Sequence, residues 1–222
     1  AAQLWQRPVD LSRAIAAVTS QPQKFGAVAP RQIAVVGHSL GGWTAIEIAG
    51  ARFDPELFAR DCTVHPQLAS CINYQKINPA STPALKDGLA SDLRDKRVTA
   101  VVTLDLGLSR GMTDASLAAL PVPALVIAAG APSRELPAEL ESANLASRLP
   151  AASSRYVEIS DASHFTFLSV CKPGAQAMLE EEVPGDGIIC QDGDSARERG
   201  VIQQQVASLI AQFLESSHAG QP

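Results

Sequence analysis

Six consecutive residues, Gly37-His38-Ser39-Leu40-Gly41-Gly42, carry the strongest chemical signal in the chain. They match G-x-S-x-G in a fitting setting: the apolar run Ile33 to Val36 precedes them, and the helix-like stretch Trp43 to Ala49 follows. A serine at the centre of so tight a strand-to-helix turn stands exposed in a strained backbone conformation. The residues two before and two after it, Gly37 and Gly41, are expected to lack side chains because strand and helix crowd there. The backbone N–H of Leu40 then becomes a donor to a bound carbonyl oxygen, helped by the positive end of the following helix. The competing reading is a glycine-rich turn with an incidental serine.

A serine hydroxyl is a weak nucleophile until a base takes its proton, and that base is usually a histidine held by a carboxylate. The chain has four histidines. His38 adjoins Ser39, but neighbours on such a turn point apart, so it is expected to pack beside the site. His65 lies between two cysteines, and His218 sits in the C-terminal tail. His164 remains, in Ser160-Asp161-Ala162-Ser163-His164-Phe165-Thr166-Phe167, after the last expected strand. The acid stays open among three candidates. Asp105 leads, because it ends the strand Val98 to Leu104 at the sheet edge where ligands bind in open α/β folds. Glu135, in the loop 130–137, is the alternative. Asp161 ranks third, only three residues from His164.

The elements that would position these groups alternate between helix and buried strand. Asp10 to Ser20 reads as an amphipathic helix, with Leu11, Ile15 and Val18 on one face. Ile33 to Val36, Val98 to Leu104, Ala124 to Ala129 and Tyr156 to Ile159 read as strands, the first suited to burial on both faces of a parallel sheet. Ala138 to Leu149 reads as a helix, and Ser195 to Glu215 as a second amphipathic one with Val201, Val206, Leu209, Ile210 and Phe213 inward. Arg52 to Arg97 shows no long periodic element and reads as a lid-like excursion. The pattern is that of an α/β fold with a mainly parallel sheet and flanking helices, one domain over residues 1–222.

Composition narrows the function classes. Over 222 residues, 46% hydrophobic and 18% charged content supplies a sizeable core and excludes a disordered chain. The net charge of -5 argues against a nucleic-acid partner. No apolar run reaches the ~18 residues that span a membrane. Four cysteines fall in two local pairs, Cys62 with Cys71 and Cys171 with Cys190, both in polar, Pro/Gly-containing segments. They read as two disulfides of an exported protein, or else as four reduced, packed thiols. Their spacing fits no zinc site.

The order Ser39, Asp105, His164 resembles the α/β-hydrolase superfamily. More narrowly, the chain is similar to dienelactone-hydrolase-like and platelet-activating-factor-acetylhydrolase-like bacterial esterases. The segments that carry the narrower likeness are GHSLGGWTA at 37–45, Cys62 to Cys71 with His65-Pro66, VVTLDLGLSRGM at 101–112, DASHFTFLSVCKPGA at 161–175 and GDGIICQDG at 185–193. The resemblance implies a serine esterase acting on a small-molecule ester, with Ser39 as nucleophile, His164 as base and Asp105 as its acid. It implies no metal or organic cofactor, and supports a periplasmic or secreted location. Relatives carry several strands before the serine turn, whereas 32 residues precede Ile33 here. An N-terminally incomplete version of a longer esterase, without its early strands and the loop of the second oxyanion donor, is therefore expected. That deficit keeps a second function open, a non-catalytic binding or scaffold domain with the same fold. Ester identity and oligomeric state are not readable from the sequence.

Overall fold

The computed structural model describes residues 2–26, 29, 32–193 and 196–219. Two helices, α1 (Gln6–Ser20) and α2 (Pro22–Phe25), lead to β1 (Ile33–His38) and α3 (Leu40–Ala49). Three short helices follow, α4 (Pro55–Val64), α5 (Ala69–Ile77) and α6 (Pro83–Ala90). The chain continues through β2 (Val98–Leu104), α7 (Asp114–Ala118), β3 (Ala124–Ala129), α8 (Ser142–Arg148) and β4 (Ser154–Ile159). It ends with α9 (Ala175–Glu182) and α10 (Arg199–Ala219). The four strands form one sheet in sequence order, every pair parallel. Parallel neighbours joined by crossovers bring all four C-terminal ends to one edge. Ser39 follows β1 there, Asp105 follows β2, the 130–137 loop follows β3, and His164 follows β4.

The period-two alternation of the strands divides the core between two faces. On one face Val35, Val101 and Val126 pack with Trp43 and Ile46 of α3 and Leu145 of α8. On the other, Val102, Leu125 and Ile127 meet Ile202, Val206 and Phe213 of α10. β2 and β3 are thus covered on both sides, as continuous apolar strands require. β1 departs from that expectation. It is an edge strand among the described residues, with Val35 buried and Val36 46% exposed.

Several boundaries differ from the sequence reading for local reasons. The Arg52–Arg97 excursion is largely helical, in pieces of eight to ten residues too short to show a period. Two of its starts carry capping signals: Asp54 accepts from Glu56 N and Leu57 N ahead of Pro55, and Thr82 accepts from Leu85 N ahead of Pro83. The helix expected over Ala138 to Leu149 breaks at Glu141, whose carboxylate turns inward; a short 3-10 turn, Ala138–Leu140, precedes it. The last helix begins at Arg199, and the expected start at Ser195 lies outside the described residues. Val201 is 45% exposed rather than inward. It stands one residue, about 100° of helix rotation, off the Ile202–Val206–Phe213 stripe.

Both cysteine pairs are bonded. Cys62–Cys71 ties α4 to α5, and Cys171–Cys190 ties the approach to α9 to the short 3-10 helix Asp186–Cys190. Each closed loop restricts the unfolded chain, worth about 2–4 kcal/mol. The excursion is also held by an aromatic chain: Phe53 stacks edge-on against Trp43 at 5.9 Å and on Phe58 at 5.5 Å, and Phe58 meets Tyr74 at 4.9 Å.

One core residue works against stability. Glu47 of α3 is fully buried, and neither carboxyl oxygen has a partner. Burial raises its pKa well above the ordinary carboxylate value, with Arg52 opposing and Asp92 reinforcing the shift. The folded protein therefore keeps a proton that the unfolded chain releases, and stability falls as pH rises above about 4.5. The slope is about 1.4 kcal/mol per pH unit until the buried group ionises. Glu47→Gln keeps the shape and removes the titration. Urea unfolding from pH 4 to 8 is expected to show the variant gaining on the parent as pH rises; parallel curves would contradict this account.

Candidate active site

The turn after β1 holds Ser39 at φ 54°, ψ -123°, a region side chains rarely adopt. Hydrogen bonds fix it on both sides: Ser39 N donates to Leu104 O at 2.9 Å, and Ser39 O accepts from Gly42 N at 2.9 Å and Trp43 N at 3.2 Å. The glycine requirement differs in part from expectation. A Cβ at Gly37 would lie 2.0 Å from Gly41 O, and one at Gly42 would lie 2.8 Å from Leu106 Cβ. At Gly41 it would meet nothing within 4 Å. The crowded positions are thus Gly37 and Gly42, because it is Gly42 that faces the loop after β2. Leu40 opens α3, where N–H groups lack partners within the helix.

His164 reaches Ser39 from the far end of the sheet. Its Nε2 lies 3.1 Å from Ser39 Oγ and its Nδ1 lies 2.7 Å from Asp105 Oδ2. Asp105 is 3% exposed, and its other oxygen accepts from Ala129 N at 3.0 Å. It too has a positive φ, 44°. Asp105 N donates to Ile127 O at 2.7 Å, so β3 holds both ends of this residue.

The remaining candidates lie elsewhere or do other work. Both ring nitrogens of His164 are taken, which leaves none for Glu135; that residue lines the same cavity, and its backbone carbonyl accepts from Ala69 N at 2.8 Å. Asp161 pairs with Arg197 at 2.7 Å. His65 caps the end of α4, and the side chain of His218 lies outside the described residues. His38 packs against His164 with ring centroids 4.6 Å apart. Its Nε2–H donates to the His164 carbonyl at 2.8 Å. Burial, reinforced by the neighbouring His164, lowers its pKa to about 4, so it is a neutral brace at physiological pH.

Two supports have no local signal in the sequence. Thr166, two residues after His164, donates to Asp192 at 2.8 Å, and Asp192 is held by the buried Arg199 at 3.1 Å. Beneath the loop after β2, Arg110 pairs with Asp61 at 2.6 Å and Glu141 at 2.8 Å, while Glu141 accepts from Ser109 N and Oγ at 3.0 Å. The acidic and cysteine cluster of Asp61, Cys62 and Cys71 offers no thiolate for a metal, since both sulfurs are in the disulfide and Asp61 serves Arg110.

Ser39, Asp105 and His164 border a cavity of about 700 Å³. Its walls are mainly apolar, from Leu4, Leu108 and Leu136, with Tyr74 and Ile77 of α5 and Phe165. The dimensions and lining are those of a small-molecule site. Among the described residues no helix is long and apolar enough to cross a membrane. A family model described as alpha/beta hydrolase family matches residues 4–176, a span that includes Ser39, Asp105 and His164. Comparison with curated proteins and with solved structures returns no match.

Proposed function

This chain belongs to the alpha/beta hydrolase family, and on that premise we propose that it is a serine hydrolase of carboxylic esters working through an acyl-enzyme. The observation that carries the reading is the continuous hydrogen-bonded line Asp105–His164–Ser39, at 2.7 and 3.1 Å, on the floor of a mainly apolar cavity. Ser39 Oγ attacks the ester carbonyl carbon while His164 Nε2 accepts the hydroxyl proton. Leu40 N–H donates to the oxygen that becomes negative. The carbon–alkoxy bond then breaks, and His164 returns its proton to the leaving alcohol. Water, deprotonated by the same nitrogen, attacks the acyl-Ser39, releasing the acid and the free serine. Asp105 accepts Nδ1–H throughout, which holds the ring's tautomer and stabilises the imidazolium. No step in this sequence calls for a metal or organic cofactor.

The narrower likeness, to dienelactone-hydrolase-like and acetylhydrolase-like esterases, is part of the proposal. So is the treatment of residues 1–222 as one domain with 52–97 as its lid-like part. The two disulfides support an exported, periplasmic or secreted location, since reducing compartments keep thiols free. The test is hydrolysis of a series of p-nitrophenyl acyl esters by the purified chain. The reading expects turnover with a pre-steady-state burst of nitrophenol, the mark of an accumulating acyl-enzyme. No turnover of any member by a folded chain would turn the assignment towards a non-catalytic binding or scaffold domain.

A further inference from the structure

The cavity is apolar, but its charge is one-sided. Among the described residues, its charged lining residues are Asp105, Glu135 and Asp192, and no lysine or arginine lines it. Two of the three acids are engaged: Asp105 accepts from His164 Nδ1 and Ala129 N, and Asp192 is held by Arg199 from behind. Glu135 is not. It is exposed, it makes no ion pair among the described residues, and its backbone is fixed to the start of α5 through Ala69 N. The adjoining Arg134 is exposed and is not among the residues that line the cavity, and two basic groups under the wall are engaged, Arg110 with Asp61 and Glu141, and Arg148 with Asp114. Any substrate that fills the cavity thus meets a lining whose charged residues are all acidic, with the Glu135 carboxylate the one that has no hydrogen-bond or ion-pair partner among the described residues.

Resting on the esterase reading above, we propose that Glu135 selects substrates by charge: the site favours esters that carry a cationic group and disfavours those that carry a carboxylate. The apolar wall binds the carbon skeleton of either kind equally, so the discrimination comes from the carboxylate at the mouth. Charges a few ångströms apart at a solvent-facing rim discriminate by about three- to tenfold, and salt screens the effect.

The test uses three butyrate esters of matched size: butyrylcholine, its neutral carbon isostere, and an ester of equal length ending in a carboxylate. kcat/KM is measured for each with the parent chain, Glu135→Gln and Glu135→Lys, the neutral ester serving as reference within each protein. The parent is expected to prefer the cationic over the anionic ester by roughly tenfold at low salt. Glu135→Gln should bring that ratio close to one, and Glu135→Lys should invert it. Raising salt to 0.5 M, where the screening length is about 4 Å, should shrink the parent's preference. Hydrolysis with the same charge ratio in all three proteins would overturn this inference and leave the esterase reading standing. No hydrolysis of any ester would overturn both.

Discussion

His164→Ala is expected to lower kcat by roughly 10⁴–10⁶-fold on any ester the chain turns over, and adding Ser39→Ala should cost almost nothing more. In the proposed mechanism the two residues work as a unit: Ser39 Oγ is a nucleophile only while His164, 3.1 Å away, accepts its proton. Removing either leaves the cavity and the Leu40 N–H, which together keep a residual rate over water. KM should change little, because neither side chain provides the apolar walls. Asp105→Asn should cost about 10⁴-fold with both other groups intact, since an amide facing Nδ1 favours the wrong tautomer. Single-turnover kinetics on the three variants and the double variant check this. Losses that multiply in the double variant would mean that the residues act independently, and the mechanism above would be wrong.

Arg110→Ala is expected to cost about 3–5 kcal/mol of stability. The side chain is 6% exposed and its guanidinium meets five partners at once: Asp61, Glu141, the Leu140 carbonyl at 2.9 Å, Ser70 Oγ at 3.3 Å and Cys71 Sγ at 3.9 Å. Its removal strands Glu141, 1% exposed, without a counter-ion. The same cluster joins α4, α5, the loop after β2 and the break before α8. Loosening it displaces the α5 residues Tyr74 and Ile77, which wall the cavity, so KM should rise as well. Urea unfolding measures the first effect and steady-state kinetics the second. A loss under about 1 kcal/mol would place the cluster among ion pairs that barely stabilise.

The contrast between these two predictions shows what a sequence exposes. The Ser39 turn is local, and its neighbours reveal it: a β-branched run before, a helix after, glycines between. Asp105 and His164 are 66 and 125 residues away from it. They are still legible as candidates, because a parallel sheet wound in sequence order gathers strand ends at one edge, and both follow strands. The strands β2 and β3 were legible to the residue as apolar runs, and their burial on both faces explains why. The residues of β1 suit equal burial, yet Val36 is exposed, since burial of an edge depends on what lies beside it and not on its own residues.

Arg110, Asp61 and Glu141 were not legible at all. Each is an ordinary charged residue in its own segment, and only the packing of four elements brings them together. Glu141 also breaks a helix that periodicity alone continues to Leu149. Thr166, Asp192 and Arg199 are hidden for the same reason: the bracing of the His164 turn comes from residues up to 35 positions away. The α4–α6 region shows another limit. α4 and α6 are capped and proline-started, but each of the three helices spans only two or three turns, below the length at which an apolar period stands out.

The measurement closest to the central claim is covalent labelling of the folded chain with a fluorophosphonate, read by intact mass, beside Ser39→Ala. An activated serine attacks the phosphorus and displaces fluoride, so the account predicts one stable adduct per parent chain and none on the variant. A folded parent that takes up no label would contradict an assembled Asp105–His164–Ser39 line. Equal labelling of the Ser39→Ala chain would show that the reactive group is some other residue.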